Sequence, residues 1–179
     1  MAAPGNFRDS LERFVGESRG PFLSWDPVNQ PMIRHAAEAL GDTNPVYTDP
    51  QYAAASIHSG IVAPPALLQV WTMKGYSNAH PPGSDPRAGF ELFDLLVERG
   101  YTGVVAVNCE QEYERYLRPG DRVSYRVEIT DISDEKSTGL GVGFFVTQRY
   151  TFEAGEGEQV GKMLFRTLRY KSAAQAQEN

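Results

Sequence analysis

The sequence predicts an α+β domain in which short helices come first and a long antiparallel sheet follows. Three observations carry this. Before Tyr101 the apolar residues recur at helical spacing. From Tyr101 onward they alternate with polar ones, most clearly in Arg122-Val123-Ser124-Tyr125-Arg126-Val127-Glu128-Ile129. The apolar run Ala66-Leu67-Leu68-Gln69-Val70-Trp71 supplies the helix that such a sheet must wrap.

Each element follows in order. Asp26 is a suitable N-cap and Pro27 a suitable first helical residue, because a missing N–H costs nothing there. Met32, Ile33, Ala36, Ala37 and Leu40 continue that helix and Gly41 stops it. Asn44-Pro45 marks a loop. Asp49-Pro50 repeats the cap-and-proline device before a short helix, Gln51 to Ser56. Pro64 and Pro65 stand at the first turn of the next helix, Ala66 to Met73, which Gly75 ends. Residues 77–89, with Pro81-Pro82-Gly83 and Asp85-Pro86, read as loop, and Phe90 to Arg99 as a short amphipathic helix. Strands are expected from Val104 to Tyr113, Arg122 to Ile129, Val142 to Phe152 and Val160 to Tyr170. The turns between them lie at Pro119-Gly120-Asp121, at Asp134 to Thr138 and at Ala154 to Gly157. Gly139, Gly141 and Gly143 fall in a β run and read as a bulge or hairpin, not a dinucleotide loop. One domain, residues 1–171, is expected, with 172–179 a polar tail or the start of a linker.

Composition narrows the function classes. Seventeen basic against 23 acidic residues give a net charge of −6, and no basic patch interleaved with aromatics serves nucleic acid. No apolar stretch reaches the ~20 residues of a membrane span, and no leader pattern is visible, so a cytoplasmic location is expected. The lone Cys109 excludes an intramolecular disulfide and reads as a small buried hydrophobe. No His/Asp/Glu cluster has metal-ligand spacing. Ser59-Gly60 lacks the flanks of a nucleophile elbow.

Three motifs in order carry a family resemblance. Leu40-Gly41-Asp42-Thr43-Asn44-Pro45-Val46-Tyr47-Thr48-Asp49 resembles the signature of MaoC-like hydratases, Gly-Asp-x-Asn-Pro-x-His-x-Asp. Gly60-Ile61-Val62-Ala63-Pro64-Pro65 looks like that family's lead into its central helix, and Tyr116-Leu117-Arg118-Pro119-Gly120-Asp121 like its strand turn. The resemblance implies the hotdog fold, a curled antiparallel sheet around a central helix, usually paired as dimers. It also implies hydration of a 2-enoyl-CoA thioester, with no separate cofactor because coenzyme A is part of the substrate. In such enzymes an Asp and a His hold the water, and a backbone N–H at the helix N-terminus polarises the thioester carbonyl.

The Asp maps onto Asp42; the His maps onto Tyr47. A phenol with an ordinary pKa of about 10 is a poor base near neutrality, where imidazole at about 6.5 is well placed. The resemblance therefore implies a degenerate half. Its substrate contacts would come from Asn44, Pro45, Gly60, Ile61, Val62, Ala63 and Ala66, and a partner would supply the working Asp/His pair. Asp42 has a plain alternative as a loop residue capping Asn44. Asp49 reads as an N-cap and not as a catalytic group. His58, just before Gly60, is the one histidine near the presumed site, but it lies on the wrong side of the short helix to replace the missing imidazole, while His35 and His80 read as solvated. Trp71 and Met73 read as core residues.

Asp26 to Arg34, with Ala63-Pro64-Pro65-Ala66 and Gln69 to Met73, narrows the resemblance to the N-terminal MaoC-like domain of large subunits of heteromeric steroid side-chain hydratases. The break at Gly75 shortens the central helix and leaves room for a bulky acyl group. The expected function is that of an acyl-CoA-binding, non-catalytic subunit acting on a steroid (cholesterol) side-chain thioester. Its partner would be a small catalytic hotdog subunit, in a heterodimer or heterotetramer, and a thiolase-like aldolase would dock through a following domain. Two other readings remain open. One is a self-sufficient homodimeric hydratase using Asp42 with Tyr47 or His58; the other is a scaffold that recruits an aldolase.

Overall fold

A computed structural model describes residues 7–87 and 89–172. A short N-terminal helix, α1 (Phe7–Leu11), and a strand, β1 (Ser18–Leu23), precede the first element expected from the sequence. Gly20-Pro21 hides β1 from sequence reading, because proline cannot donate to a ladder and is tolerated only at an edge. β1 is such an edge, pairing with β3 with a register shift between Arg19 and Phe22.

Helix α2 (Gln30–Leu40) starts later than Asp26-Pro27 suggested. Its cap is Asn29, whose side-chain oxygen accepts from Met32 N–H at 3.0 Å, with Pro31 in the first turn. Gly41 ends it in the left-handed region (φ 67°), as expected. Ile33 and Ala37 face the core, whereas Met32 and Leu40 are exposed. Asp49 caps α3 (Pro50–Ala55) through Gln51 and Tyr52 N–H, so its role is structural.

The central segment is not the helix expected over Ala66 to Met73. It consists of two 3-10 turns, Pro65–Leu67 and Val70–Thr72, and Met73 is already extended and exposed. Two prolines before a short apolar run nucleate turns but leave too few residues to propagate an α-helix. Leu67, Leu68 and Trp71 of this segment are nevertheless buried against Val123, Phe152 and Met163 of the sheet. Each such side chain contributes about 1.5–3 kcal/mol through burial. Helix α4 (Glu91–Glu98) follows the loop and buries Leu92 and Leu96.

The remaining strands are β2 (Gly103–Tyr113), β3 (Val123–Ile132), β4 (Lys136–Thr138), β5 (Gly141–Ala154) and β6 (Glu158–Ser172). They form one antiparallel sheet in the order β1-β3-β5-β6-β2, and β4 also pairs with β5. This is the architecture the resemblance implies, an antiparallel sheet over a central segment, with the central helix reduced to turns. The stretch expected as a turn at Asp134 to Thr138 contains β4, and Ser172, assigned to the tail, still pairs with Gly141. Residues 173–179 of that tail, and residues 1–6 of the expected domain, lie outside the described residues. Gly141 has φ 139°, and a Cβ there would overlap the Lys171 carbonyl; close strand approach, not ligand binding, explains this glycine. Cys109 is exposed on edge strand β2, not buried. Among the described residues no helix is long and apolar enough to cross a membrane.

Candidate functional site

The loop between α2 and α3 is built by local side-chain caps. Asp42 Oδ1 accepts from Asn44 N–H at 3.0 Å, and Asn44 Oδ1 accepts from Val46 N–H at 3.2 Å. These bonds start the 3-10 turn Pro45–Tyr47. The turn carries Val46 and Tyr47 inward while Asp42 and Asn44 stay exposed. Among the described residues Asp42 makes no hydrogen bond to a histidine, so its capping role is the one the geometry displays.

Tyr47 is 7% exposed. Burial raises its phenol pKa above the ordinary value, and Tyr116 and Asp42 raise it further through their charges. The loop thus does bring Asp42 and Tyr47 together, but in a setting that holds the phenol neutral. His58 lies half-buried with its ring edge-on to Tyr116, centroids 4.5 Å apart. It joins the group through Tyr116, not through Asp42. An open groove of about 440 Å³ runs alongside, bordered by Asn44, Val46, Tyr52, Ser56, Ile57 and His58.

The Gly60-to-Pro65 stretch is tied to the Tyr116 turn. Ala63 N–H donates to the Leu117 carbonyl at 2.8 Å, and Asp121 accepts from Arg118 N–H at 2.8 Å and from Arg115 at 2.8 Å. All three sequence motifs therefore converge. Val62 and Ala63 are buried, Gly60 and Ile61 are half-buried, and Ala66 is exposed in the isolated chain. The expected helix N-terminus is missing here: a three-residue 3-10 turn lacks the aligned peptide dipoles that polarise a carbonyl. Among the described residues no cluster suited to a metal ion occurs.

A second feature lies on the inner face of the sheet. The central segment ends at Thr72, so the sheet beyond it is left open. A cavity of about 320 Å³ occupies that space, walled by Phe22, Phe90, Phe93, Tyr125 and Tyr150. A neighbouring cavity of about 140 Å³, bordered by Thr72 and Phe152, shares Lys74, Tyr125 and Tyr150 with it. Burial pushes the Tyr150 phenol up to about 12. His80, expected to be solvated, is half-buried instead. Its ring stacks on Phe22 at 4.6 Å, its Nε2 lies 3.4 Å from the Tyr125 hydroxyl, and burial together with Lys74 lowers its pKa. No sequence motif marks this aromatic wall. Its residues come from β1, β3, β5, α4 and the residue before α4, and sheet register together with the packing of α4 brings them together.

A curled antiparallel sheet with an aromatic-walled cavity, together with a loop that carries the MaoC-like motif, belongs to a defined class. Residues 14–163 match the FAS1-like, dehydratase domain region, and the chain belongs to that family. Within it, the chain is 48% identical over 153 residues to the 3-oxo-4,17-pregnadiene-20-carboxyl-CoA hydratase alpha subunit of Mycobacterium tuberculosis, covering 86% of this chain and 48% of that protein. It is 44% identical over 169 residues to a probable enoyl-CoA hydratase alpha subunit of Thermomonospora curvata, covering 93% and 52%. A chain in the crystal structure of the ChsH1-ChsH2 complex from Mycobacterium tuberculosis superposes with a TM-score of 0.83 at 43% identity, covering 93% of this chain and 97% of that one. The chain spans about half the length of the curated relatives it matches.

Proposed function

We propose that this chain is the acyl-CoA-binding, non-catalytic subunit of a heteromeric 2-enoyl-CoA hydratase acting in steroid (cholesterol) side-chain degradation, and that a small hotdog subunit supplies the Asp/His pair. One observation carries the reading: the position that needs an imidazole holds a buried, neutral phenol, Tyr47. Hydration requires a base for the water proton and an acid for the α-carbon, and among the described residues no histidine is bonded to Asp42 to do either. The names of the matched alpha subunits support the substrate class.

The chain's own contribution is space and position. The inner-face cavity, opened by the broken central segment, takes the bulky acyl group. The partner joins along β2, whose outer edge pairs with no other strand among the described residues and whose Val104, Val105 and Val107 are exposed. Long apolar strand edges of this kind call for cover. The same reading includes a thiolase-like aldolase as a partner of a further domain.

Enoyl-thioester absorbance tests the proposal. The purified chain should give no turnover above the buffer rate, and addition of the small hotdog subunit should restore it. Full activity from the chain alone would replace this reading with a self-sufficient homodimer.

A further inference from the structure

We infer that the inner-face cavity reads an oxygen acceptor at the far end of the acyl group, with Gln148 and Arg169 as the donors. The inference rests on the acyl-binding role proposed above and adds a specificity device to it. Gln148 is 7% exposed, lines the cavity and makes no side-chain hydrogen bond among the described residues. Its amide is therefore open to a guest in the cavity and free to bond it. Arg169 lines the same cavity, makes no ion pair among the described residues, and its Nε is buried without a hydrogen-bond partner. Its guanidinium lies over the Phe93 ring, 4.3 Å from the centroid.

Sheet register puts the two on one face, where both line the cavity. Gln148 and Tyr150 share one face of β5, and Arg169 on β6 pairs with Phe144 of that same face. Thr167, two residues before Arg169, pairs with Val146, is 4% exposed and has an unpartnered hydroxyl. Gln148, Arg169, Arg19 and Lys74 thus set donors among the aromatic residues of the wall. An amide alone would accept donors and acceptors alike; a guanidinium only donates. With Lys74 also bordering the cavity and no carboxylate lining it, the preferred guest is an oxygen acceptor, either a ring ketone or a carboxylate.

The test uses the hydratase reconstituted with the small hotdog subunit and three polycyclic enoyl-CoA thioesters. They are matched except at the end distant from the thioester, which carries a ketone, a carboxylate or only hydrogen. At least one oxygenated substrate should exceed the hydrocarbon one in kcat/KM by tenfold to a hundredfold, the range of a hydrogen bond to a charged donor. Gln148→Leu and Arg169→Met should each bring that ratio towards one, and Arg169→Lys should keep part of it. The ratio does not depend on how much variant protein folds. If a variant fails to assemble, the wild-type ratio alone decides. A wild-type ratio near one, or a ratio unmoved in both donor-deleting variants, overturns the inference while the hydratase reading stands. Turnover of none of the three thioesters overturns both.

Discussion

Tyr47→Phe separates a spectator from a catalyst. At pH 7 a phenol of ordinary pKa, about 10, is ionised roughly one part in a thousand. Burial of Tyr47, with Tyr116 and Asp42 nearby, moves that fraction lower still. Used as a base, it would start from a deficit of about 4 kcal/mol, three pKa units at about 1.4 kcal/mol each. The substitution removes only the hydroxyl and keeps the ring that packs with Val46, Leu67 and Trp71 in the core. The reconstituted hydratase should therefore keep its kcat within about threefold. Loss of a working general base would cost about a hundred- to ten-thousand-fold. Enoyl-thioester absorbance gives the rate, and circular dichroism with complex mass confirms that the variant is folded and assembled. A hundredfold fall in kcat with fold and assembly intact would refute the partner-supplied active site. Tyr47→Ala is the contrasting perturbation: emptying a buried aromatic site costs about 3–5 kcal/mol and should show as lost stability.

Three further outcomes follow from the fold. Asn29→Ala removes the α2 cap and should cost about 1 kcal/mol, lowering Tm by about 2–4 °C; no shift in a thermal melt would mean that the Met32 N–H finds another acceptor. Gly141→Ala drives a methyl into the Lys171 carbonyl at a positive φ, so soluble yield and Tm should both collapse, and a variant that melts like wild type would contradict the β5–β6 register. His80 has a folded pKa below its unfolded value of about 6.5, so the unfolded state binds the extra proton first. Its contribution is therefore present above about pH 6.5 and is lost as pH falls below it. His80→Phe, which preserves the stack on Phe22, should flatten the fall of Tm between pH 7 and pH 5, and parallel profiles for the two proteins would remove His80 from the account.

The sequence displayed the elements whose signals are local. The alternation of β3, the Asp49 cap and the Gly41 stop each depend on neighbours a few residues away, and each stands where its pattern lies. The start of α2 was misplaced because Asp26-Pro27 offers the same cap chemistry as Asn29 and Pro31, and only packing chooses between them. Cys109 looked buried from its apolar neighbours, yet β2 lies at a sheet edge, which strand order alone reveals. The Asp42–Tyr47 pair was legible because it sits on one loop. The cavity wall was not: Phe22, Phe93, Tyr125 and Gln148 are ordinary strand and helix residues until the register aligns them.

The open margin of β2 also bears on how the protein is made. Along its eleven residues the backbone amides and carbonyls that face away from β6, with Val104, Val105 and Val107 exposed among them, will template whichever strand arrives first. In a cell that strand can belong to the proper mate or to another copy still leaving the ribosome. Dosage of the two polypeptides then becomes part of folding, and overproduction of this one by itself should yield inclusion bodies that balanced co-expression dissolves.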